Sequence, residues 1–127
     1  MKVEKIDHIA IRVRNLEEAK TFFGNLLETR FIDFGEFPEL DIRSAIEPSL
    51  GMELVEPLTP SGPLAREIDR KGEGLTLLSL KVSNLEQAVA KMKSAGIRLI
   101  NRIERGSIKA AIFHPKDTYG VVIEFVV

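Results

Sequence analysis

The chain contains one stretch twice, and this repeat limits its fold more than any other feature. Residues 6–19 read IDHIAIRVRNLEEA and residues 75–88 read LTLLSLKVSNLEQA, an offset of 69 positions. Within the last eight positions of the pair, five residues are identical and two are conservative replacements. In a chain without low-complexity sequence, this match indicates an internal duplication.

Each copy has the pattern of a strand followed by a helix. The strand of the first copy alternates Ile9, Ile11 and Val13 with His8, Ala10 and Arg12. Asn15 then stands at a helix N-cap position with Glu18 three residues later, and Asn84 with Gln87 repeats this arrangement. The apolar stripe of the first helix is predicted to contain Leu16, Ala19, Phe22, Phe23, Leu26 and Leu27.

The order of elements along the whole chain is predicted to be βαβββ, used twice. The other predicted strands cover residues 30–34, 40–46, 51–57, 98–102, 108–113 and 121–127. Module 1 then spans about residues 1–57, a connector with a short helix spans 58–73, and module 2 spans 74–127. We expect an α+β domain in which the two modules form curved mixed sheets around a shared cleft, with the helices on the outer face.

Composition excludes several classes of function. The 127 residues carry a formal net charge of -1, which gives no bulk basicity for binding nucleic acid or an anionic membrane. There is no cysteine for a disulfide or a zinc knuckle, and no apolar run of transmembrane length. We therefore expect a cytoplasmic protein that binds a small molecule. Open sheets leave exposed edges, so at least a homodimer is predicted.

Three ligand-type side chains stand inside apolar strands. Glu124 is the one polar residue of GVVIEFVV, Glu53 occupies the corresponding last strand of module 1, and His8 lies in the middle of the first strand. Burying a lone carboxylate costs several kcal/mol unless it is paired, protonated or metal-bound. If all three side chains face one cleft, they suit a divalent cation such as zinc, nickel, cobalt, manganese or iron(II). The alternative is that His8 is a hydrogen-bonded core residue and both glutamates reach solvent at strand edges.

Other residues have simpler interpretations. His114 precedes a proline in the loop HPKDTYG and is predicted to be part of the turn architecture. Phe22 and Phe23 are predicted to be core residues of the first helix.

Several motifs resemble the vicinal oxygen chelate superfamily of glyoxalases, bleomycin-resistance proteins and extradiol dioxygenases. They are IDHIAI, FPELDIRSAI, MELVEPL, KGEGL and FHPKDTYGVVIEF, and they look closest to the methylmalonyl-CoA epimerase and glyoxalase-like branch. The resemblance implies a divalent metal that is held by the first and last strands of each module and chelates two substrate oxygens. Such a metal stabilises the enolate formed when a carboxylate removes the adjacent proton. His8, Glu53 and Glu124 fall on the implied ligand positions.

Two positions depart from the epimerase-like pattern. Leu77 stands where that pattern has a second ligand histidine, and Ser44 stands where it has the glutamate that acts as acid or base. The first hypothesis is a metal-dependent isomerase or lyase for a small 2-oxo or acyl-thioester substrate, with Glu53 or Glu124 as proton carrier and the metal held weakly. The alternative is a non-catalytic, bleomycin-resistance-like binding protein with a degenerate metal site and an apolar pocket lined by Leu77, Val55 and Val122. A dioxygenase fits less well, because its usual site has two histidines and one carboxylate.

Overall fold

Strands and helices follow one another in the predicted order, βαβββ twice. The computed structural model describes residues 1–127. The first half contains β1 (Val3–Arg12), α1 (Leu16–Leu26), β2 (Ile32–Phe37), β3 (Ile42–Glu47) and β4 (Met52–Pro57). Helix α2 (Pro63–Lys71) precedes the second half, which contains β5 (Gly74–Val82), α3 (Leu85–Ser94), β6 (Leu99–Arg105), β7 (Ile108–Phe113) and β8 (Val122–Val126). The predicted α+β class is confirmed. None of the helices combines the length and the apolar character needed to cross a bilayer.

The chain forms two compact units. One consists of residues 9–76, and the other combines residues 1–8 with residues 77–127. The unit of residues 9–76 has the strand order β2-β3-β4-β1, in which only the β4/β1 pair is parallel. The other unit contains the order β5-β8-β7-β6, in which only the β5/β8 pair is parallel. Both units are thus mixed sheets, and strand β1 contributes its first half to one unit and its second half to the other.

The two duplicated helices begin at the predicted caps. The Asn15 side chain accepts a hydrogen bond from the backbone N–H of Glu18 at 3.0 Å, and Asn84 accepts one from Gln87 at the same distance. An N-cap of this type stabilises a helix by about 1 kcal/mol relative to alanine. Helix α1 packs on β3 and β4, and α3 packs on β7 and β8.

One apolar core lies beneath each of these helices. The buried residues under α1 are Val13, Leu16, Phe31, Ala45 and Leu54, with Ile11, Ala19, Phe23 and Met52 partly buried against them. The buried residues under α3 are Val82, Leu85, Ala88, Ala111, Phe113 and Phe125, with Leu80, Val89, Met92, Ile97 and Ile123 against them. Ile11 and Val13 therefore face the helix. Because side chains alternate along a strand, His8 and Ala10 lie on the opposite face of β1.

The predicted apolar stripe of α1 was too wide. Phe22 is 60% exposed and Leu26 is 62% exposed, although both were placed in the stripe and Phe22 was predicted to be a core residue. The residues that face the sheet are Leu16, Ala19 and Phe23, which follow the spacing i, i+3, i+7. Phe22 and Leu26 are four residues apart and share the adjacent flank of the helix, outside this contact.

The second strand was also placed too early. Gly35, which was expected to turn the chain, instead lies within β2 with φ 128°, at a β-bulge between Asp33 and Gly35. A bulge can absorb a glycine with positive φ without ending the strand. The turn follows at Pro38–Leu40, and β3 begins at Ile42.

The loop between β7 and β8 is held by polar contacts, as predicted for His114. The Nδ1 atom of His114 accepts a hydrogen bond from the backbone N–H of Lys116 at 3.1 Å. Arg98 donates to Asp117 from its side chain at 2.8 Å and from its backbone at 3.1 Å, and these bonds lower the pKa of the Asp117 carboxyl to about 2. His114 is accordingly a structural residue of this loop.

Candidate active site

His8 lies between two carboxylates in the unit of residues 1–8 and 77–127. Its Nδ1 atom is 2.7 Å from Asp7 Oδ2, and its Nε2 atom is 3.4 Å from Glu124 Oε1. A neutral imidazole has only one N–H, whereas ionised carboxylates only accept hydrogen bonds. Both contacts can be favourable only if an extra proton or a cation is present. The site is therefore suited to holding a proton or a metal ion between His8 and Glu124.

Strand β8 places Glu124 on this face. Ile123 and Phe125 belong to the core under α3, so the alternation of the strand turns Glu124 to the opposite side. Strand β8 has β5 on one side and β7 on the other, and Glu124 is only 8% exposed. The alternative of a solvated glutamate at a strand edge is therefore wrong for Glu124.

Glu53 lies in the other unit and has a different environment. Its Oε2 atom accepts a hydrogen bond from Ser44 Oγ at 2.6 Å, and Ser44 is completely buried. This short hydrogen bond fixes the orientation of the carboxylate. Strand β4 is flanked by β3 and β1, so Glu53 also does not stand at a sheet edge.

Ser79 is a site residue that the sequence analysis did not select. It is completely buried on β5, and its hydroxyl has no hydrogen-bond partner. It pairs with Glu124 in the parallel register of β5 and β8, so the two side chains are neighbours on one face. An unpartnered buried hydroxyl costs about 1–3 kcal/mol. The available signal was one hydroxyl in the apolar run LLSL, which by itself does not separate a site from a core serine.

A second buried polar network surrounds Arg12 in the unit of residues 9–76. Its guanidinium donates to the carbonyl oxygens of Gly72 at 2.8 Å and Leu75 at 2.6 Å, and pairs with Glu67 at 2.9 Å. Thr76 donates to the same Glu67 oxygen at 2.7 Å. The network fixes the KGEGL loop at the start of β5, which gives this motif a structural role.

Residues 5–125 match the model of the Glyoxalase/Bleomycin resistance protein/Dioxygenase superfamily. The chain belongs to this superfamily. The predicted resemblance to vicinal oxygen chelate proteins is therefore confirmed.

Several known proteins align along nearly the whole chain. Human mitochondrial methylmalonyl-CoA epimerase is 34% identical over 127 residues, which cover 94% of this chain and 72% of the human protein. The uncharacterized protein YqjC of Bacillus subtilis is 28% identical, over 96% of this chain and 91% of its own. The crystal structure of methylmalonyl-CoA epimerase from Mycobacterium tuberculosis superposes with a TM-score of 0.82 at 28% identity, over 98% of this chain and 87% of that one.

The donors present suit a divalent cation in type but are few in number. The imidazole nitrogen of His8 faces a carboxylate oxygen of Glu124, a combination that zinc, nickel, cobalt, manganese and iron(II) all accept. Leu77 lies on the same face of β5 as Ser79 and supplies no donor. No group of three or more His, Asp or Glu side chains is arranged to hold a metal. Glu53 as the third ligand stays a prediction.

Proposed function

We propose that this superfamily member binds an acyl-CoA thioester and removes the proton from the carbon next to the thioester carbonyl. Glu124 is the proton carrier, and His8 is its partner. The observation that carries this proposal is the position of the His8 ring between the carboxylates of Asp7 and Glu124. The names of the human and mycobacterial relatives, both methylmalonyl-CoA epimerases, supply the substrate class.

Each of these three side chains has a defined role in the proposed reaction. The Glu124 carboxylate takes the proton as the C–H bond breaks, and the electron pair moves onto the thioester carbonyl to give an enolate. The protonated Glu124 then donates to His8 Nε2, while Asp7 accepts from Nδ1–H and fixes the tautomer. Because Glu124 is 8% exposed, its proton is held away from bulk water until it returns to carbon or exchanges with solvent.

The metal dependence predicted for the isomerase or lyase is part of this proposal. His8, Glu53 and Glu124 are the predicted ligands. A bound divalent ion would supply Lewis-acid stabilisation of the enolate oxygen. With Leu77 in place of a ligand histidine, we expect the ion to be held weakly.

Two substitutions favour a second candidate function, a non-catalytic small-molecule-binding protein. Ser44 is buried and donates its hydroxyl hydrogen to Glu53, so it cannot serve as the carboxylate base. Leu77 adds apolar surface next to Ser79 and Glu124. A protein that only binds its ligand needs neither a second base nor a full ligand set.

Deuterium exchange separates the two candidates. The assay follows by proton NMR the loss of the hydrogen next to the thioester in methylmalonyl-CoA dissolved in D2O. It is run with a chelator and with added cobalt or nickel. We expect exchange that the metal accelerates, with little epimerisation, because inversion needs a second proton carrier on the opposite face of the carbon.

The other outcomes are equally clear. Binding of the thioester without exchange under any metal condition would favour the second candidate, and absence of both would contradict the proposed substrate class. Metal content is measured on the same samples. If His8→Ala leaves the bound metal unchanged, His8 is not a ligand.

We also propose that the working form is a homodimer. Strands β2 and β6 each have a hydrogen-bonded neighbour on one side only, and such edges are commonly covered by a partner. Sedimentation of the purified protein should show a dimer at micromolar concentration. A strictly monomeric species would contradict this prediction.

A further inference from the structure

The buried hydroxyl of Ser79 has no evident structural purpose. Ala10 occupies the duplicated position on β1, 69 residues earlier, and is also buried, at 1% exposure. Ala10 pairs with Glu53 in the parallel register of β1 and β4, as Ser79 pairs with Glu124. Alanine therefore fits this position beside a strand glutamate, and the serine oxygen is not required for packing.

Serine and alanine exchange places between the two copies. Ser44 pairs with Val55, two residues after Glu53, and Ala110 pairs with Val126, two residues after Glu124. Ser44 and Ala110 are thus equivalent positions on β3 and β7. Glu53 has serine on β3 and alanine on β1, whereas Glu124 has alanine on β7 and serine on β5. Each glutamate therefore has one neighbouring serine hydroxyl, which comes from β3 for Glu53 and from β5 for Glu124.

We propose that Ser79 is a positioning residue whose hydroxyl, which has no partner in the structure, turns to donate a hydrogen bond to the Glu124 carboxylate, the bond that Ser44 already makes to Glu53. This inference rests on the proposed role of Glu124 as proton carrier. The hydroxyl lies beside Glu124 on the same face of the sheet and has a free hydrogen to donate. Its donation orients one carboxylate oxygen and leaves the other directed at His8. Ser79 itself does not contact the reacting carbon.

Carboxyl-carbon NMR of protein labelled at glutamate tests the contact without any substrate. The Glu124 resonance is assigned by its loss in Glu124→Gln. We expect this resonance to shift in Ser79→Ala, because a hydrogen bond to the carboxylate is removed. Adding Ala110→Ser to that variant should return the resonance toward its wild-type position, since the hydroxyl then comes from the position that Ser44 occupies relative to Glu53. Ala10→Ser is the matched control and should leave the Glu124 resonance unchanged.

Two results would overturn the proposal. One is a Glu124 resonance that does not move in Ser79→Ala. The other is a shift that Ala110→Ser fails to reverse, which would indicate a packing effect. If Ser79→Ala folds poorly, Ser79→Cys gives the same comparison, because the thiol keeps the shape and is a weaker donor.

The exchange assay separates this proposal from the proposed function. We expect Ser79→Ala to lower kcat for proton exchange about tenfold with KM nearly unchanged, and Ala110→Ser to recover part of the loss. If the wild-type protein does not catalyse exchange but the NMR pattern holds, the proposed function fails and the positioning role of Ser79 stands. If exchange occurs and the Glu124 resonance does not respond to Ser79→Ala, the positioning role of Ser79 fails and the proposed function stands.

Discussion

Glu124→Gln should lower the rate of proton exchange next to the thioester by about two to four powers of ten, the usual effect of removing a general base. The amide keeps the shape of the side chain and can still contact His8, but it cannot accept a proton at neutral pH. Affinity for the acyl-CoA ligand should change little, because the loss concerns proton transfer. The measurement is exchange in D2O at saturating thioester, together with a binding titration.

Glu53→Gln is the matched control, because Glu53 holds the equivalent position on β4. Its carboxylate is already bonded to Ser44 at 2.6 Å, and the glutamine amide oxygen can accept the same bond. We expect a smaller loss of exchange than for Glu124→Gln. Equal losses of exchange rate in Glu124→Gln and Glu53→Gln would indicate that both carboxylates take part in proton transfer. A larger loss in Glu53→Gln would show that the roles are reversed.

Leu77→His should strengthen the proposed cation site at His8 and Glu124. Position 77 lies on the same face of β5 as Ser79, beside the strand that carries Glu124. An imidazole there adds a donor to His8 and Glu124. Residues that merely support metal ligands are worth about 10- to 100-fold in affinity, so a further ligand should raise cobalt or nickel affinity by about 100-fold. Isothermal titration with either metal measures the gain.

The neighbouring substitution Leu78→His serves as the control, because its side chain points to the opposite face of β5. It should leave metal affinity unchanged.

Combining Leu77→His with Ser44→Glu should move the protein toward methylmalonyl-CoA epimerase activity by adding a second carboxylate base. Ser44 contacts Glu53, so a glutamate at position 44 would place two carboxylates side by side, an arrangement that favours the binding of one proton. Efficient epimerisation by the unmodified protein would contradict the roles given to Leu77 and Ser44.

Local sequence patterns predicted the helices and strands. The contacts that the sequence analysis missed join residues that are far apart along the chain. The repeat of strand, asparagine cap and helix is contained in short stretches, so βαβββ and the caps at Asn15 and Asn84 could be predicted. The position of Glu124 as the one polar residue of GVVIEFVV likewise marked it as a candidate site residue. Glu124, the neighbour of Ser79, lies 45 residues away along the chain. The partners of Arg12 lie 55 to 63 residues away and are Glu67, Gly72 and Leu75. Pairings of this kind depend on sheet register, which no local pattern specifies.

Strand β1 contributes residues both to the apolar core under α1 and to the proposed site at His8. His8 is the last residue of one unit and Ile9 is the first residue of the other, within one continuous strand. A slip of this strand by a single residue would turn every side chain to the other face. Such a slip would remove Ile11 and Val13 from the core under α1 and carry His8 away from Glu124 in the same event. The register that packs Ile11 in the core of one unit therefore also sets the position of the His8 imidazole in the other unit.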